Sequence, residues 1–226
     1  GAEFTFGMQE DAHEFLRSLL RLVEDEELRE HAEALRRKES GGAVAAPNAD
    51  LTASPCRIFG GLTVSQCSCP KKECGVSSFS YERFMDLSLD ITEVTDSVED
   101  ALRLFTAPER LDRTNKWHCE GCGESVRARK QITIYHAPSV LVLQLKRFRY
   151  GERGKVTRPV AFAPELNLRP FLCASASDLG RPLLYELRAV VVHLDKAGYS
   201  HFGHYVAYAR RAAENGSGPR WYLLDD

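Results

Sequence analysis

Three segments near the end of the chain are rich in β-branched and aromatic residues: LLYELRAVVVHL at 183–194, YVAYAR at 205–210 and WYLL at 221–224. This composition is typical of β-strands. The last two segments are separated by Asn215-Gly216-Ser217-Gly218-Pro219, and glycine and proline mark tight connections. The sequence therefore predicts an antiparallel meander in the C-terminal third.

Further strands precede this meander. Enrichment in β-branched and aromatic side chains predicts them at 58–64, 84–91, 131–135 and 140–148. One helix interrupts them at 97–105, where Asp96 is placed to cap the first turn. Glu99 stands three residues later, which is the spacing of a capping box.

The chain opens with a helical pattern from about Gln9 to about Leu35. Apolar residues recur there at helical spacing and predict a core helix; they are Phe15, Leu16, Leu19, Leu20 and Val23. The small-residue run SGGAVAAPN at 40–48 is typical of a flexible linker. A helix followed by strands predicts an α+β fold in which, as in papain, a helical lobe faces a β lobe.

Composition narrows the class of protein. The 226 residues are 43% hydrophobic, which allows a substantial core. Lys and Arg total 30 against 32 Asp and Glu, a net charge of −2, so no global positive field favours nucleic acid. No run approaches the roughly 18 apolar residues of a membrane span, and the first residues lack a signal-peptide pattern. We therefore expect an intracellular protein, in the cytoplasm or nucleus, with no membrane partner.

Five of the seven cysteines stand in two short groups, Cys67, Cys69 and Cys74, then Cys119 and Cys122. Short spacings favour metal binding over disulfides in a reducing compartment. Four thiolates suit tetrahedral Zn²⁺, and a Cys-x-x-Cys knuckle followed by Gly lets backbone amides point at the sulfurs. Cys69 is preferred to Cys67 because its loop to Cys74 is shorter, although both pairings are possible. We expect structural zinc, the alternative being a degenerate finger with free thiols.

A histidine motif, His201-Phe202-Gly203-His204-Tyr205, leads one predicted strand, and the chain later reaches Asp225 and Asp226. A histidine at the start of one strand and an acid at the end of its neighbour can meet across an antiparallel pair. Such an acid would fix the imidazole tautomer, as in a Cys-His-Asp triad. A packed or surface histidine is the alternative, and the motif alone leaves both interpretations open.

Three acids stand in the run that opens the N-terminal helix, Gln9-Glu10-Asp11-Ala12-His13-Glu14-Phe15. Negative side chains are stabilised at the positive end of a helix dipole. This electrostatic account alone could explain Glu10 and Asp11 without a functional role.

Taken in chain order, these segments resemble the catalytic domain of the ubiquitin-specific protease family. The run at 9–15 is similar to the family's Gln-Asp box, and YERFMDLSLDI at 81–91 is similar to the strand after its first zinc knuckle. PSVL at 138–141 with LKRF at 145–148 matches the strand that ends in Lys-Arg-Phe. Gly203-His204-Tyr205 matches the His box. The resemblance covers nearly the whole chain.

The resemblance implies a cysteine-type deubiquitinase that hydrolyses isopeptide or peptide bonds after the C-terminal glycine of ubiquitin. Its expected partners are ubiquitin and ubiquitinated proteins. The implied regions are a thumb helix at 1–35, a flexible insertion at 36–55, zinc-stabilised fingers at 56–135 and a palm at 136–226. The implied catalytic residues are His204 as general base and Asp225 as its orienter, with Asp226 assisting. The implied zinc ligands are Cys69, Cys74, Cys119 and Cys122, and the implied contacts with the ubiquitin tail are Asp11, Glu14, His201, Gly203 and Tyr205.

One family segment has no counterpart here. The Cys box, which carries the nucleophile, precedes the Gln-Asp box in the family and is not found in these 226 residues. Cys56 and Cys173 lack the helix-start or Asn-rich context of a reactive thiolate and are expected to be structural. We therefore expect a fragment whose nucleophile lies outside it. The runner-up is an inactive ubiquitin-binding module or zinc-ribbon adaptor, but the presence of both His204 and Asp225 favours the enzyme.

Overall fold

The computed structural model describes residues 10–38, 53–148, 155–176, 180, 183–196, 199–211 and 218–225, with backbone alone at 32–38, 196 and 199–202. Three α-helices lie in these ranges: α1 Ala12–Lys38, α2 Ser54–Phe59 and α3 Val98–Phe105. A short 3-10 helix spans Arg169–Phe171. No helix within these ranges is long and apolar enough to cross a membrane.

The strands group into one four-stranded, one three-stranded and three two-stranded sheets over the described residues. Their bounds are β1 Gly61–Ser68, β2 Ser77–Phe84, β3 Leu87–Leu89, β4 Glu109–Arg110, β5 Trp117–Cys119, β6 Glu124–Val126, β7 Arg129–His136, β8 Leu143–Leu145, β9 Glu165–Asn167, β10 Leu184–Glu186, β11 Ala189–Lys196, β12 Tyr199–Arg211 and β13 Arg220–Leu224. The sheet orders are β2-β1-β7-β4, β11-β12-β13, β3-β8, β5-β6 and β9-β10. The β3-β8 pair is parallel, and the other pairs are antiparallel.

The main hydrophobic core lies where α3 packs against β3, β7 and the 3-10 helix. Leu89, Leu102 and Ile134 are fully buried there, together with Leu168 and Phe171. Apolar burial of this kind contributes roughly 1.5–3 kcal/mol for each large side chain. The α+β fold predicted from the order of segments is therefore found, with this core joining the helical and strand parts.

Helix α1 is fixed to the rest of the chain by polar contacts. His13 Nε2 donates to Asp86 Oδ2 at 2.9 Å, and the Cys56 thiol donates to Glu24 at 2.9 Å. The expectation that α1 is a core helix is wrong for part of its apolar stripe, because Phe15 is 55% and Leu19 45% exposed. Its contacts with α2 and Asp86 do not cover that face.

Helix α3 confirms the prediction of a helix at 97–105, but its cap differs from the expectation. Ser97 has extended backbone and its hydroxyl accepts from the Asp100 amide at 3.1 Å, so Ser97 rather than Asp96 is the N-cap. Asp96 instead pairs with Arg158. Asp100, not Glu99, returns the bond to the cap, by accepting from the Ser97 hydroxyl at 2.7 Å.

Several predicted boundaries shift because tertiary pairing determines where strands begin. Ile58 is helical in α2, and β1 starts at Gly61. The segment predicted as one strand at 84–91 is divided between the end of β2 and β3, and β8 is shorter than the predicted 140–148. Of the predicted insertion at 36–55, residues 36–38 belong to α1 and 54–55 to α2, while 39–52 lie outside the described residues.

Candidate functional site

The C-terminal meander brings His204 and Asp225 together. Strand β12 pairs with β13 from Ala207↔Leu224 to Arg211↔Arg220, so Asp225 follows β13 directly and reaches back toward His204. His204 Nε2 lies 2.5 Å from Asp225 Oδ1. A carboxylate can only accept, so Nε2 carries the proton and Nδ1 is the nitrogen with a lone pair. The pair has the geometry of a general base with its orienting acid.

The other residues of these two motifs are placed only in part. His201 lies within β12, but its side chain is outside the described set, and Asp226 lies outside it altogether. Strand β12 starts at Tyr199, so His204 stands inside a strand and not at the start of one as predicted. The His204 and Asp225 side chains are 45% and 50% exposed, which leaves them accessible to a substrate.

Gly203 and Tyr205 lie on the opposite face of β12 from His204, because side chains alternate along a strand. The Tyr205 hydroxyl donates to Asp11 Oδ2 at 3.3 Å, which links β12 to the start of α1. Burial and the nearby Asp11 carboxylate raise the pKa of Tyr205 above its usual value. The two faces of β12 therefore carry different polar contacts: His204 with Asp225 on one face, and Tyr205 with Asp11 on the other.

Asp11 also caps α1, which supports the electrostatic account of the N-terminal acids. Its Oδ1 accepts from the His13 amide at 2.8 Å and from the Glu14 amide at 3.1 Å. The Glu14 side chain is exposed. A capping role and a substrate role for Asp11 are compatible, since its two oxygens have different partners.

Beside Tyr205 the structure places a cluster that the sequence patterns did not single out. His193 of β11 lies opposite Tyr205 in the register, with ring centroids 4.7 Å apart, and Phe148 packs edge-on against the same ring at 5.6 Å. Lys155 and Asp195 hydrogen-bond to each other at 2.8 Å next to the same ring. The alternation of side chains along β11 could have predicted that His193 and Asp195 share one face of the strand. The approach of Lys155 could not be predicted in this way, because it is a tertiary contact.

The β1–β2 connection and the β5–β6 hairpin bring four sulfurs together. Cys69 and Cys74 lie in the connection between β1 and β2, while Cys119 ends β5 and Cys122 lies in the turn to β6. Their Sγ atoms all lie within 4.8 Å of one another. A soft divalent ion such as Zn²⁺ takes four thiolates at about 2.3 Å in a tetrahedron, and this donor set fits it.

The backbone of both knuckles is shaped for such a site. Gly75 and Gly123 follow the second cysteine of each knuckle and have φ of 62° and 68°, in the left-handed region that favours glycine. The amides of Cys122 and Gly121 point at the Cys119 sulfur and lower the pKa of Cys119 to about 7. The Lys71 amide donates to Cys69, but burial and the neighbouring sulfurs raise the pKa of Cys69 to about 11. Amide donors to sulfur are the environment that knuckles give their ligands.

The remaining cysteines lie away from this cluster. Cys67 is in β1, opposite Ser78 and Lys130, and is not a member of the group of four sulfurs. Cys173 Sγ lies 3.7 Å from the Ser175 hydroxyl. Lys71 of the first knuckle also forms an ion pair with Glu124, which follows the second knuckle, at 2.5 Å, and this pair joins the two knuckles.

Comparisons with known proteins agree with this arrangement. The family model described as ubiquitin carboxyl-terminal hydrolase matches residues 1–226. Ubiquitin carboxyl-terminal hydrolase 15 of Arabidopsis thaliana is 37% identical over 97% of this chain and 22% of its own length. Ubiquitin carboxyl-terminal hydrolase 42 of Homo sapiens is 34% identical over 99% of this chain and 15% of its own length.

Solved structures give the same result. The SAGA Ubp8/Sgf11/Sus1/Sgf73 DUB module bound to ubiquitin aldehyde contains a chain with a TM-score of 0.71 at 28% identity. That match covers 97% of this chain and 44% of the other. The chain thus spans less than half of this structural relative and less than a third of the curated relatives above.

Proposed function

Because this chain belongs to the ubiquitin carboxyl-terminal hydrolase family, we propose that its protein is a cysteine-type deubiquitinase, hydrolysing isopeptide or peptide bonds after the C-terminal glycine of ubiquitin. The observation that carries the proposal is the 2.5 Å contact between His204 Nε2 and Asp225 Oδ1. A base with its orienting acid serves nucleophilic catalysis, whereas ubiquitin binding alone has no use for it.

In the proposed reaction His204 Nδ1 takes the proton of a cysteine thiol, and the thiolate attacks the carbonyl carbon of the terminal glycine. His204 then gives that proton to the leaving amine, and a thioester remains. Water attacks the thioester, with His204 accepting its proton and returning it to the departing sulfur. Asp225 holds the ring so that Nδ1 faces the sulfur and stabilises the imidazolium. Asp226 is proposed to assist Asp225.

The attacking thiol is proposed not to be among the seven cysteines of this sequence. Four of them are grouped as a metal site, and Cys67 lies within β1. Cys56 donates to Glu24 beside α1, and Cys173 lies by Ser175. These surroundings suit structural roles better than that of a nucleophile.

Ubiquitin is proposed as the partner, with its tail passing the start of α1 and the Gly203–Tyr205 segment. A relative in the solved structures is bound to ubiquitin aldehyde, which supports this assignment. Asp11 and Glu14 are proposed to make charge-assisted contacts with basic side chains of the tail. His201 is proposed to flank the same channel. Thumb, fingers and palm are proposed for α1, for β1–β2 with β4–β7, and for the later strands.

The four sulfurs are proposed to hold a structural Zn²⁺. Four thiolates leave no position for water, so the ion would stabilise the fingers and take no part in hydrolysis. The small core around Cys119, formed mainly by Val126 and Ala128, supports this role, since a metal compensates for a core that is too small.

The proposal is tested with the whole protein and a ubiquitin fluorogenic amide. We expect turnover that disappears in a His204→Ala variant while the affinity for ubiquitin is kept. Ubiquitin binding without any turnover by the unaltered protein would instead support the non-enzymatic binding module.

A further inference from the structure

The first turn of α1 is attached to the β part of the chain by a largely buried pair that the reaction proposed above does not use. His13 Nε2 lies 2.9 Å from Asp86 Oδ2, and the two side chains are 17% and 15% exposed. A carboxylate only accepts hydrogen bonds, so Nε2 carries the proton and donates it. Arg17, one helical turn further along α1, places its Nε 3.6 Å from Asp86 Oδ1. Asp86 thus contacts two successive turns on one face of α1.

Asp86 lies on a part of the fold that is held firmly. It immediately precedes β3, whose Leu87 and Leu89 are buried in the main core. Strand β3 pairs with β8 through its backbone, and Ser88 Oγ also donates to Gln144 Oε1 of β8 at 2.6 Å. The same hydroxyl lies 3.4 Å from Asp86 Oδ2. The acceptor to which the helix is attached is therefore fixed by the core.

Apolar burial contributes only part of what holds this end of α1. Phe15 is 55% and Leu19 45% exposed, and exposed apolar side chains gain little burial free energy. The hydrogen bonds that α1 accepts from α2 lie further along the helix, at Glu24 and Glu27. The orientation of the first turn therefore depends on its polar contacts.

His13 connects Asp86 to Asp11 through its own backbone. Its ring donates to Asp86, while its amide donates to Asp11 Oδ1 at 2.8 Å. The other oxygen of Asp11, Oδ2, accepts from the Tyr205 hydroxyl at 3.3 Å. A continuous series of contacts thus runs from the residue before β3, through the start of α1, to β12, the strand that carries His204.

We propose that Asp86 and His13 are positioning residues that hold the first turn of α1 so that the Asp11 carboxylate stays against Tyr205 of β12. For catalysis the inference rests on the proposed function, in which the substrate passes the start of α1 and this segment of β12. Neither Asp86 nor His13 touches a reacting atom. Both act through Asp11, so their removal should displace the Asp11 carboxylate and leave the chemistry of His204 in place.

The first test measures the contact between Asp11 and Tyr205 in the whole protein, without turnover. Burial and the Asp11 carboxylate raise the pKa of Tyr205, so the ionisation of this phenol reports whether α1 is in place. It is followed by ¹⁹F spectra of protein labelled with 3-fluorotyrosine, whose phenol ionises at a lower pH than that of tyrosine. Tyr205→Phe identifies the signal by its loss.

We expect Asp86→Ala and His13→Leu to lower the pKa of residue Tyr205 toward its ordinary value, because both the burial by α1 and the nearby charge are reduced. Asp11→Asn keeps the cap and removes the charge, so it shows the size of the effect when the carboxylate is lost. A pKa of Tyr205 that is unchanged in Asp86→Ala and His13→Leu would overturn the proposal.

Matched variants separate positioning from a general loss of structure. Asp86→Asn keeps an oxygen that accepts from His13, and His13→Gln keeps an N–H donor, so each should restore part of the raised Tyr205 pKa. Asp90→Ala removes an exposed acid that pairs with Lys146 at 3.3 Å and should leave that pKa unchanged. If Asp86→Ala does not fold, the contrast between His13→Gln and His13→Leu carries the test, and an unaltered Tyr205 pKa in His13→Leu overturns the proposal.

The second test is a double-mutant cycle in steady-state kinetics on a ubiquitin fluorogenic amide. We expect Asp86→Ala to raise KM about tenfold, as for one lost charge-assisted contact, with kcat within about threefold. In a protein that already carries Asp11→Asn, Asp86→Ala should have little further effect on KM, because Asp86 acts through Asp11. Additive effects on KM, or a fall in kcat at unchanged KM, would contradict the assignment. If the protein hydrolyses no ubiquitin, the proposed function fails, while the ¹⁹F measurement still decides the roles of Asp86 and His13.

Discussion

At the scale of single residues, His204 and Asp225 have distinct proposed roles, as the general base and as the acid that orients it. The bond from Nε2 to Asp225 leaves Nδ1 as the base. In the whole protein we expect His204→Ala to lower kcat by about 10⁴-fold or more, and Asp225→Ala by about a hundredfold less, because a badly oriented base is still a base. Single-turnover and steady-state measurements on a ubiquitin amide check this.

His201→Ala is the control for that comparison, since it alters a histidine of the same strand three residues away. We expect it to weaken substrate engagement more than chemistry. Loss of the acyl-enzyme burst in His201→Ala, with the burst retained in His204→Ala, would exchange the roles of the two histidines.

Asp11 allows a capping role to be separated from a binding role. Asn is as good an N-cap as Asp, so Asp11→Asn should keep the melting temperature while raising KM, if the carboxylate pairs with a basic tail. Asp11→Ala should also lose about 1 kcal/mol of stability through the missing cap. Thermal melts and KM are measured on both variants. An unchanged KM in Asp11→Asn would confine Asp11 to capping and to its bond with Tyr205.

At the scale of secondary-structure elements, α3 tests the reassigned cap. Ser97→Ala removes the hydroxyl that accepts from the Asp100 amide and should cost about 1 kcal/mol in urea unfolding. Asp96→Ala, the neighbouring substitution, removes an exposed ion pair and should cost less, about 0.2–1 kcal/mol. The reverse order would return the capping role to Asp96.

The knuckles are elements whose stability is expected to depend on metal. Cys119→Ser with Cys122→Ser should lower the stability of the fingers by several kcal/mol, as should a strong chelator, because metal binding is coupled to folding. Metal analysis should give one zinc for each chain of the parent. Cys67→Ser is the matched control and should keep its zinc, since Cys67 is outside the group of four. Absence of zinc in the parent, or melting of the double variant like the parent, would show a finger without metal.

At the scale of the whole molecule, the 226-residue chain by itself is expected to hydrolyse no ubiquitin substrate. It supplies a base and an orienter, but none of its cysteines has the surroundings proposed for the nucleophile. The measurement is turnover of a ubiquitin fluorogenic amide by the purified chain. Turnover that is lost on Cys56→Ser or Cys173→Ser would place the nucleophile within this sequence.

Patterns within short stretches of the sequence determined most of the secondary-structure elements and the two cysteine knuckles. Hydrophobic periodicity predicted α1, and capping-box spacing predicted α3. Runs of β-branched residues predicted most of the long strands, and cysteine spacing predicted both knuckles. These signals lie within a few neighbouring residues, where propensity, turn chemistry and ligand spacing act directly. The choice of Cys69 over Cys67 agrees with the placement of the sulfurs, because the loop length between ligands is a local property.

Only the tertiary structure decided how distant groups meet. Lys155 and His193 are neighbours in space because two segments pack together, and no pattern within either segment indicates the contact. The same holds for Tyr205 with Asp11, which are 194 positions apart in the sequence. Several observed strand boundaries also differ from the predicted ones, because the register with a partner strand determines where a strand begins. Local sequence thus determined elements and knuckles, whereas the His193 cluster depended on long-range packing, whose energy is shared among residues far apart in the chain.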